Sequence, residues 1–298
     1  MRRIPVEKKA KLNLVISMFV FGTIGLFVRH IALPSSVIAL VRGAVGTLFL
    51  LAVVRLRGQK LDWSAIRKNG LWLVLSGAFI GFNWIFLFES YRFTTVATST
   101  LCYYMAPILV ILASPFVLKE KLTGRKMLCV LIALAGMVCI SGVLESIPTA
   151  GELKGILYGL SAAVLYGSVM LLNQRIRDIS AFDKTILQLG IAAVVLLPYC
   201  LLTVSPAEIV LDAKSIALLL VVGIVHTGIT YCMYFGSMAY VGGQSVAIIS
   251  YIDPVVAVLA SVLILREPMM LIEGVGALLI LGAALGGEIS GSKKEEAA

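Results

Sequence analysis

YYMAPILVILASPFVLKE at residues 103–120 and SYIDPVVAVLASVLILRE at residues 250–267 are two versions of one segment. In each, a tyrosine (Tyr104, Tyr251) stands three positions before a proline (Pro107, Pro254), and a glutamate (Glu120, Glu267) follows that proline by 13. Both copies sit at the same offset of 147, so a long stretch of chain has been duplicated. The match extends outward. Trp84 aligns with Tyr231 and Ser90 with Ser237 at that offset, while Phe21-Gly22 aligns with Tyr166-Gly167 at a slightly shorter one.

The surroundings of the segment identify its solvent. With 60% hydrophobic residues, 14% charged residues and a mean hydropathy of +1.01 over 298 residues, the chain does not describe a soluble domain. A bilayer core of roughly 30 Å is crossed by about 20 apolar residues in a helix. Apolar spans fall at Leu12 to Ala32, Ser36 to Leu56, Gly70 to Tyr91, Ala97 to Leu118 and Met127 to Val143. A second set follows at Lys154 to Gln174, Thr185 to Val204, Ser215 to Phe235, Ser245 to Leu265 and Leu271 to Glu288. Continuous runs without alternation exclude a β-barrel, and the connections are too short for separate soluble domains. The expected fold is an all-α integral membrane protein of ten transmembrane helices, as two five-helix repeats at residues 12–143 and 154–288. Five is odd, so the second copy enters the membrane from the opposite side. Inverted repeats of this kind mark transporters, with substrate near the midplane at the repeat interface.

The first span follows Arg2, Arg3, Lys8, Lys9 and Lys11 but is longer than a signal-peptide core and ends in Arg29-His30 without a small-residue cleavage pattern, so it reads as retained. Nineteen of the 25 basic residues lie at the two termini and in the loops 55–68, 119–126 and 175–184. That asymmetry predicts a multi-pass cell-membrane protein with both termini cytoplasmic. It also accounts for the net charge of +9 without nucleic acid. Cys102, Cys129, Cys139, Cys200 and Cys232 all fall inside spans with no C-x-x-C spacing, so they read as packing residues, and no metal or cofactor is expected. No G-x-x-x-x-G-K-[ST], H-E-x-x-H or G-x-S-x-G sequence occurs, which argues against ATP as the engine and against an enzyme.

The two five-helix halves, the aromatic-Gly pair in the first helix of each, Arg42 in the second helix, and the Pro-x12-Glu segment running into a Gly-rich fifth helix resemble the EamA-type transporters of the drug/metabolite transporter superfamily. The resemblance covers nearly the whole chain. It implies a carrier of a small molecule within a family whose members move amino acids, other metabolites or nucleotide sugars. Two departures stand out: Glu89, where many members carry a small apolar residue, and Asp253 before Pro254, where Ala106 precedes Pro107.

Asp253 lies eight residues into the ninth span, about 12 Å along the helix axis and close to the midplane. A carboxylate there costs at least roughly 2.5 kcal/mol in lipid, so it should face a cavity or a partner. His226 reaches similar depth in the eighth span. The two could form a proton relay, a static pair tying the eighth and ninth helices, or no contact at all. Arg42 could hold a substrate carboxylate with its two-pronged guanidinium or neutralise Glu89 in a permanent ion pair, and Glu89 also has Arg92 at i+3. Glu120 and Glu267 read as helix-end anchors. Trp84, Tyr103, Tyr104, Tyr231 and Tyr251 lie on the helices that carry the repeat and could line a pocket for an aromatic or cationic group, or simply pack. Asn83, Asn173 and Gln188 need partners, in other helices or in substrate. Pro107 and Pro254 should kink the fourth and ninth helices and act as hinges. The pairs Gly77/Gly81, Gly155/Gly159 and Gly282/Gly286 permit close packing, with the last a possible dimer face, so monomer and weak homodimer both stand.

The leading functional expectation is a secondary transporter of a small metabolite working by alternating access, with or without proton coupling. An amino acid or related zwitterion or amphipathic solute fits the Arg42 and Asp253 chemistry. A channel or facilitator and an intramembrane enzyme are the alternatives. A channel wants a ring of repeated polar groups, which the mismatch of Asp253 with Ala106 does not provide.

Overall fold

The computed structural model describes residues 6–117, 123–140, 144, 148–173, 175–238, 240–241, 249–250 and 252–295. Every regular element among them is helical. Seven helical stretches are long and apolar enough to cross a membrane, namely Val6–Val28, Ser35–Leu56, Gly70–Phe93, Val96–Ala113, Ala150–Asn173, Phe182–Thr203 and Ala213–Tyr234. Three shorter apolar helices, Met127–Ile140, Ile252–Leu263 and Leu271–Ala283, fall where the remaining spans are expected. Large apolar side chains such as Leu48, Leu71, Leu202 and Leu278 point outward. In water they would be a liability, and in lipid they are the natural surface.

In chain order the helices are α1 (Val6–Gly22), α2 (Ile24–Val28), α3 (Ser35–Leu56), α4 (Trp63–Lys68), α5 (Gly70–Phe93), α6 (Val96–Tyr103) and α7 (Ala106–Val117). They continue as α8 (Gly124–Ile140), α9 (Ala150–Asn173), α10 (Ala181–Thr203), α11 (Ala213–Leu220), a π-helical stretch over Val221–Ile229, α12 (Thr230–Met238), α13 (Ile252–Leu263) and α14 (Leu271–Glu295). Their starts are set by short polar side chains that accept the first free N–H groups. Asp62 receives Ser64 N at 3.0 Å, Thr95 receives Thr98 N at 3.0 Å, Ser180 receives Asp183 N at 3.0 Å, and Asp212 receives Ser215 N at 2.9 Å.

Three spans expected to be continuous are interrupted. The first breaks at Thr23, where the hydroxyl donates to Val20 O at 2.7 Å and the backbone tightens into i+3 bonds. The fourth is not a kinked rod: it ends at Tyr103, turns through Tyr104 and Met105, and restarts at Ala106, which puts Pro107 second in the new helix. A proline there loses no backbone bond, because the first-turn N–H groups have no intrahelical acceptor. The eighth span passes from α to π and back to α. Pro254 is buried within α13. Glu120 and Tyr251 lie outside the described residues.

Packing pairs the elements across the two halves of the sequence. Helix α1 lies on α13 and on α12, while α9 lies on α6, α7 and α5; α10 crosses α3, and α8 packs against α14. Close glycine contacts recur at equivalent residues. A Cβ on Gly22 would stand 2.5 Å from Asp253 O, and one on Gly167 would stand 3.3 Å from Ala106 O. Likewise Gly81 abuts Leu196, and Gly228, 147 residues on, abuts Phe49, which is 147 residues before Leu196. Polar groups at depth bind other helices: Asn83 donates to Ala162 O at 2.6 Å, and Gln188 donates to Ser76 at 2.8 Å and to Asn173 at 2.7 Å. Such bonds satisfy groups that lipid would leave bare.

Candidate functional site

The centre of the site is Arg42 on α3. Its side chain is buried, its guanidinium carbon lies 4.3 Å from the centroid of the Trp84 ring and 5.9 Å from that of Phe88, and its Nε donates to Thr227 Oγ1 at 2.8 Å. One turn along α3, Gly46 lets the π-helical stretch come close: a Cβ there would sit 2.5 Å from Thr227 Cγ2. The Thr227 hydroxyl spends its own proton on Val222 O at 2.9 Å, five residues back, which leaves a lone pair for Arg42. This i−5 contact is repeated by Thr230 to Val225 O at 2.6 Å and follows from the wider π turn.

The rest of the Arg42 guanidinium has no carboxylate partner within ion-pair distance among the described residues. The expected alternative, a permanent pair with Glu89, is not formed. Glu89 instead holds its i+3 neighbour Arg92 at 3.3 Å, a local partner that costs less chain entropy than a buried one on another helix. The groups in electrostatic range of Arg42 include Tyr231, Tyr103, Tyr91, Asp253 and His226.

Asp253 is contributed by α13, held against α1 by the Gly22 contact. It accepts a hydrogen bond from Tyr104, at the break between α6 and α7, and faces Arg42 without touching it. Asp253, Tyr103, Tyr104 and Tyr231 are half-buried. Phe21 meets the Tyr231 ring edge-on at 5.2 Å, and Tyr103 stacks on Tyr166 at 4.9 Å. Arg42, Trp84, Tyr104, Tyr231 and Asp253 are thus brought together, from α3, α5, the α6–α7 turn, α12 and α13.

His226 does not belong to the same contact set. Its Nε2 meets Thr23 Oγ1 at 3.1 Å and its ring packs on Phe27 at 4.7 Å, so the paired Asp253–His226 reading is corrected: the imidazole ties the eighth span to the break in the first. An extra residue per turn shifts the phase of the following side chains by about 100°, and that rotation is invisible to α-helical counting. Tyr251 lies outside the described residues. Thr227, Phe88 and Tyr91 were not singled out by sequence. The only available signal for Thr227 was a hydroxyl beside a buried histidine.

Adjoining this cluster through Phe88 is a cavity of about 610 Å³, bordered by Arg29, Ile38, Phe88, Tyr91, Arg92 and Glu208 among others. Phe88 and Tyr91, stacked at 6.2 Å and both buried, lie between it and Arg42.

A multi-helix membrane bundle with a charged, aromatic-walled interior site defines the class as membrane transporter. The family model for the EamA-like transporter family matches twice, over residues 8–142 and 153–286, and the chain belongs to that family. Among its relatives, an uncharacterized transporter of Bacillus subtilis, YxxF, is 32% identical over 253 residues, covering 85% of this chain and 80% of its own length. An uncharacterized transporter of Archaeoglobus fulgidus is 26% identical over 273 residues, covering 91% and 93%. A solved crystal structure, 20% identical, superposes with a TM-score of 0.65 over 94% of this chain and 98% of that one. Family and relatives point to transport rather than to catalysis.

Proposed function

We propose that the protein is a secondary carrier of a small zwitterionic or amphipathic metabolite, with an amino acid or close relative as the favoured substrate, working by alternating access. The observation that carries this reading is the buried Arg42 guanidinium, stacked on Trp84, tied by Nε to Thr227, and left without a carboxylate of its own while Asp253 faces it. A planar fork fixed in this way suits a bidentate carboxylate. Asp253, already holding Tyr104, offers its remaining lone pairs to an ammonium. The surrounding Tyr103, Tyr231 and Phe21 rings take the apolar remainder. Desolvating both charges is recovered only when substrate supplies both complements, which favours a zwitterion over either single ion.

The architecture in this reading is ten transmembrane helices in two inverted five-helix repeats, 12–143 and 154–288. The paired contacts Gly22 with Asp253 O and Gly167 with Ala106 O, and Gly81 with Leu196 and Gly228 with Phe49, are what a two-fold axis between the halves would produce. The helix break at Tyr104–Met105 and the proline helix α13 serve as hinges in this scheme. The termini are cytoplasmic in a cell-membrane orientation set by the basic loops. Proton coupling, where present, runs through Asp253, the one carboxylate in the cluster. Counterflow in proteoliposomes preloaded with a panel of amino acids, amines, carboxylates and sugars tests the reading. Labelled substrate should accumulate transiently against its gradient only when a transported compound is inside, and flux without counterflow would make the protein a channel.

A further inference from the structure

Glu267 lies just beyond α13, and its buried carboxylate gathers contacts from across the sequence. Its Oε2 accepts from the backbone N–H of Val96 at 2.9 Å and from the Ser261 hydroxyl, and its Oε1 stands 2.8 Å from Arg29 Nη1. Arg29 in turn donates to Tyr91 O at 2.7 Å and to Thr94 O at 2.9 Å. The sequence suggested a helix-end anchor beside Arg266. The carboxylate stays tied to its own helix end through Ser261 and in addition plugs into the first half of the chain, at the N-terminus of α6, where a negative charge is favoured by the free N–H groups.

The position of this contact gives it a consequence for access. Arg29 and Tyr91 border the 610 Å³ cavity, and the Phe88–Tyr91 stack is the wall between that cavity and Arg42. Tyr91 lies in electrostatic range of Asp253, Arg42 and Glu267 alike. The same α13 that carries Asp253 near its start is therefore docked at its end onto the helices that bear the wall. Resting on the carrier reading above, we propose that the Arg29–Glu267 contact is a latch that holds α13 against α2, α5 and α6 and keeps the passage from the cavity to Arg42 shut. Opening requires Glu267 to leave Val96 N and Arg29 together, a loss that substrate bound between Arg42 and Asp253 can offset only by favouring the open state.

The test reads opening directly and needs no substrate, so it stands apart from whether the protein proves to be a carrier. Thr227, fully buried behind the wall where it bonds Arg42, is replaced by cysteine in a background lacking the five native cysteines, and its maleimide-labelling rate is measured on purified protein in nanodiscs. Glu267→Gln keeps an acceptor for Val96 N and removes the charge, while Arg29→Gln removes the other side. Each should raise the labelling rate about tenfold, equivalent to about 1.4 kcal/mol, and the double variant should be no faster than the faster single. Unchanged labelling in both singles with unchanged melting temperature, or a double variant whose rate multiplies the two single effects, would overturn the latch.

Discussion

Replacing Arg42 with lysine isolates what the guanidinium contributes beyond its charge. In the wild type three features act at once: the planar face lies 4.3 Å from Trp84, Nε is fixed on Thr227 at 2.8 Å, and the two terminal nitrogens are left for substrate. Lysine keeps a positive charge at roughly that place, but a single ammonium cannot bond Thr227 and also present two parallel donors. A hydrogen bond to a charged group is worth roughly 1.5–3 kcal/mol, so losing the second prong should weaken carboxylate binding by about 10- to 150-fold. The bond to Thr227 is also made by the charged group and falls in the same range, so stability is read on the same sample to separate loss of fold from loss of binding. The assay is counterflow half-saturation on purified Arg42→Lys protein, with its melting temperature measured on the same sample. A half-saturation concentration within twofold of wild type, in a folded protein, would refute the carboxylate-fork argument.

Gly22→Ala places a methyl 2.5 Å from the Asp253 carbonyl and forces α1 off α13, whereas Gly167→Ala meets Ala106 O at 3.3 Å. The first should lower the melting temperature and abolish transport through an overpacking cost of about 1–3 kcal/mol, and the second should be tolerated; equal behaviour would sink the comparison. Asp253→Asn should abolish uphill uptake at any substrate concentration while sparing exchange at saturating substrate, with a raised half-saturation concentration, if the carboxylate moves a proton. His226→Gln should not reproduce that split, because His226 contacts Thr23 rather than Asp253; identical phenotypes in paired uphill and exchange assays would revive the relay. A cysteine at exposed Val210 should label in intact cells with an impermeant maleimide, and one at exposed Ser64 only after permeabilisation, with the reverse pattern inverting the topology.

The repeated Tyr-x-x-Pro segment, the apolar spans and the candidate pair Arg42 and Asp253 are all legible along the chain, because hydrophobic runs and charges at depth are local properties of sequence. What those residues touch is not. The Nε partner of Arg42 is Thr227, 185 residues away, and it is in reach only because Gly46 admits the helix and a π turn rotates it. His226, in the same π stretch, contacts Thr23 and Phe27 on the first span. The Glu89–Arg92 pair was visible as an i+3 spacing, so a local partner took precedence over the distant one. The helix-end position of Glu267 is legible along the chain and its bond to Ser261 keeps it there, yet its docking onto Val96 depends on tertiary packing of two halves that sequence spacing does not orient.

The central claim, that Arg42 and Asp253 jointly hold the two ends of a zwitterion, is tested most directly by analogue competition. For an amino acid that the carrier exchanges, its des-amino acid and its decarboxylated amine are compared as inhibitors of counterflow in proteoliposomes. The account predicts that the intact zwitterion competes at least tenfold more strongly than either half-molecule, and that Arg42→Gln erases its advantage over the amine while Asp253→Asn erases its advantage over the acid. Equal competition by all three compounds, or an advantage that survives both substitutions, would contradict it.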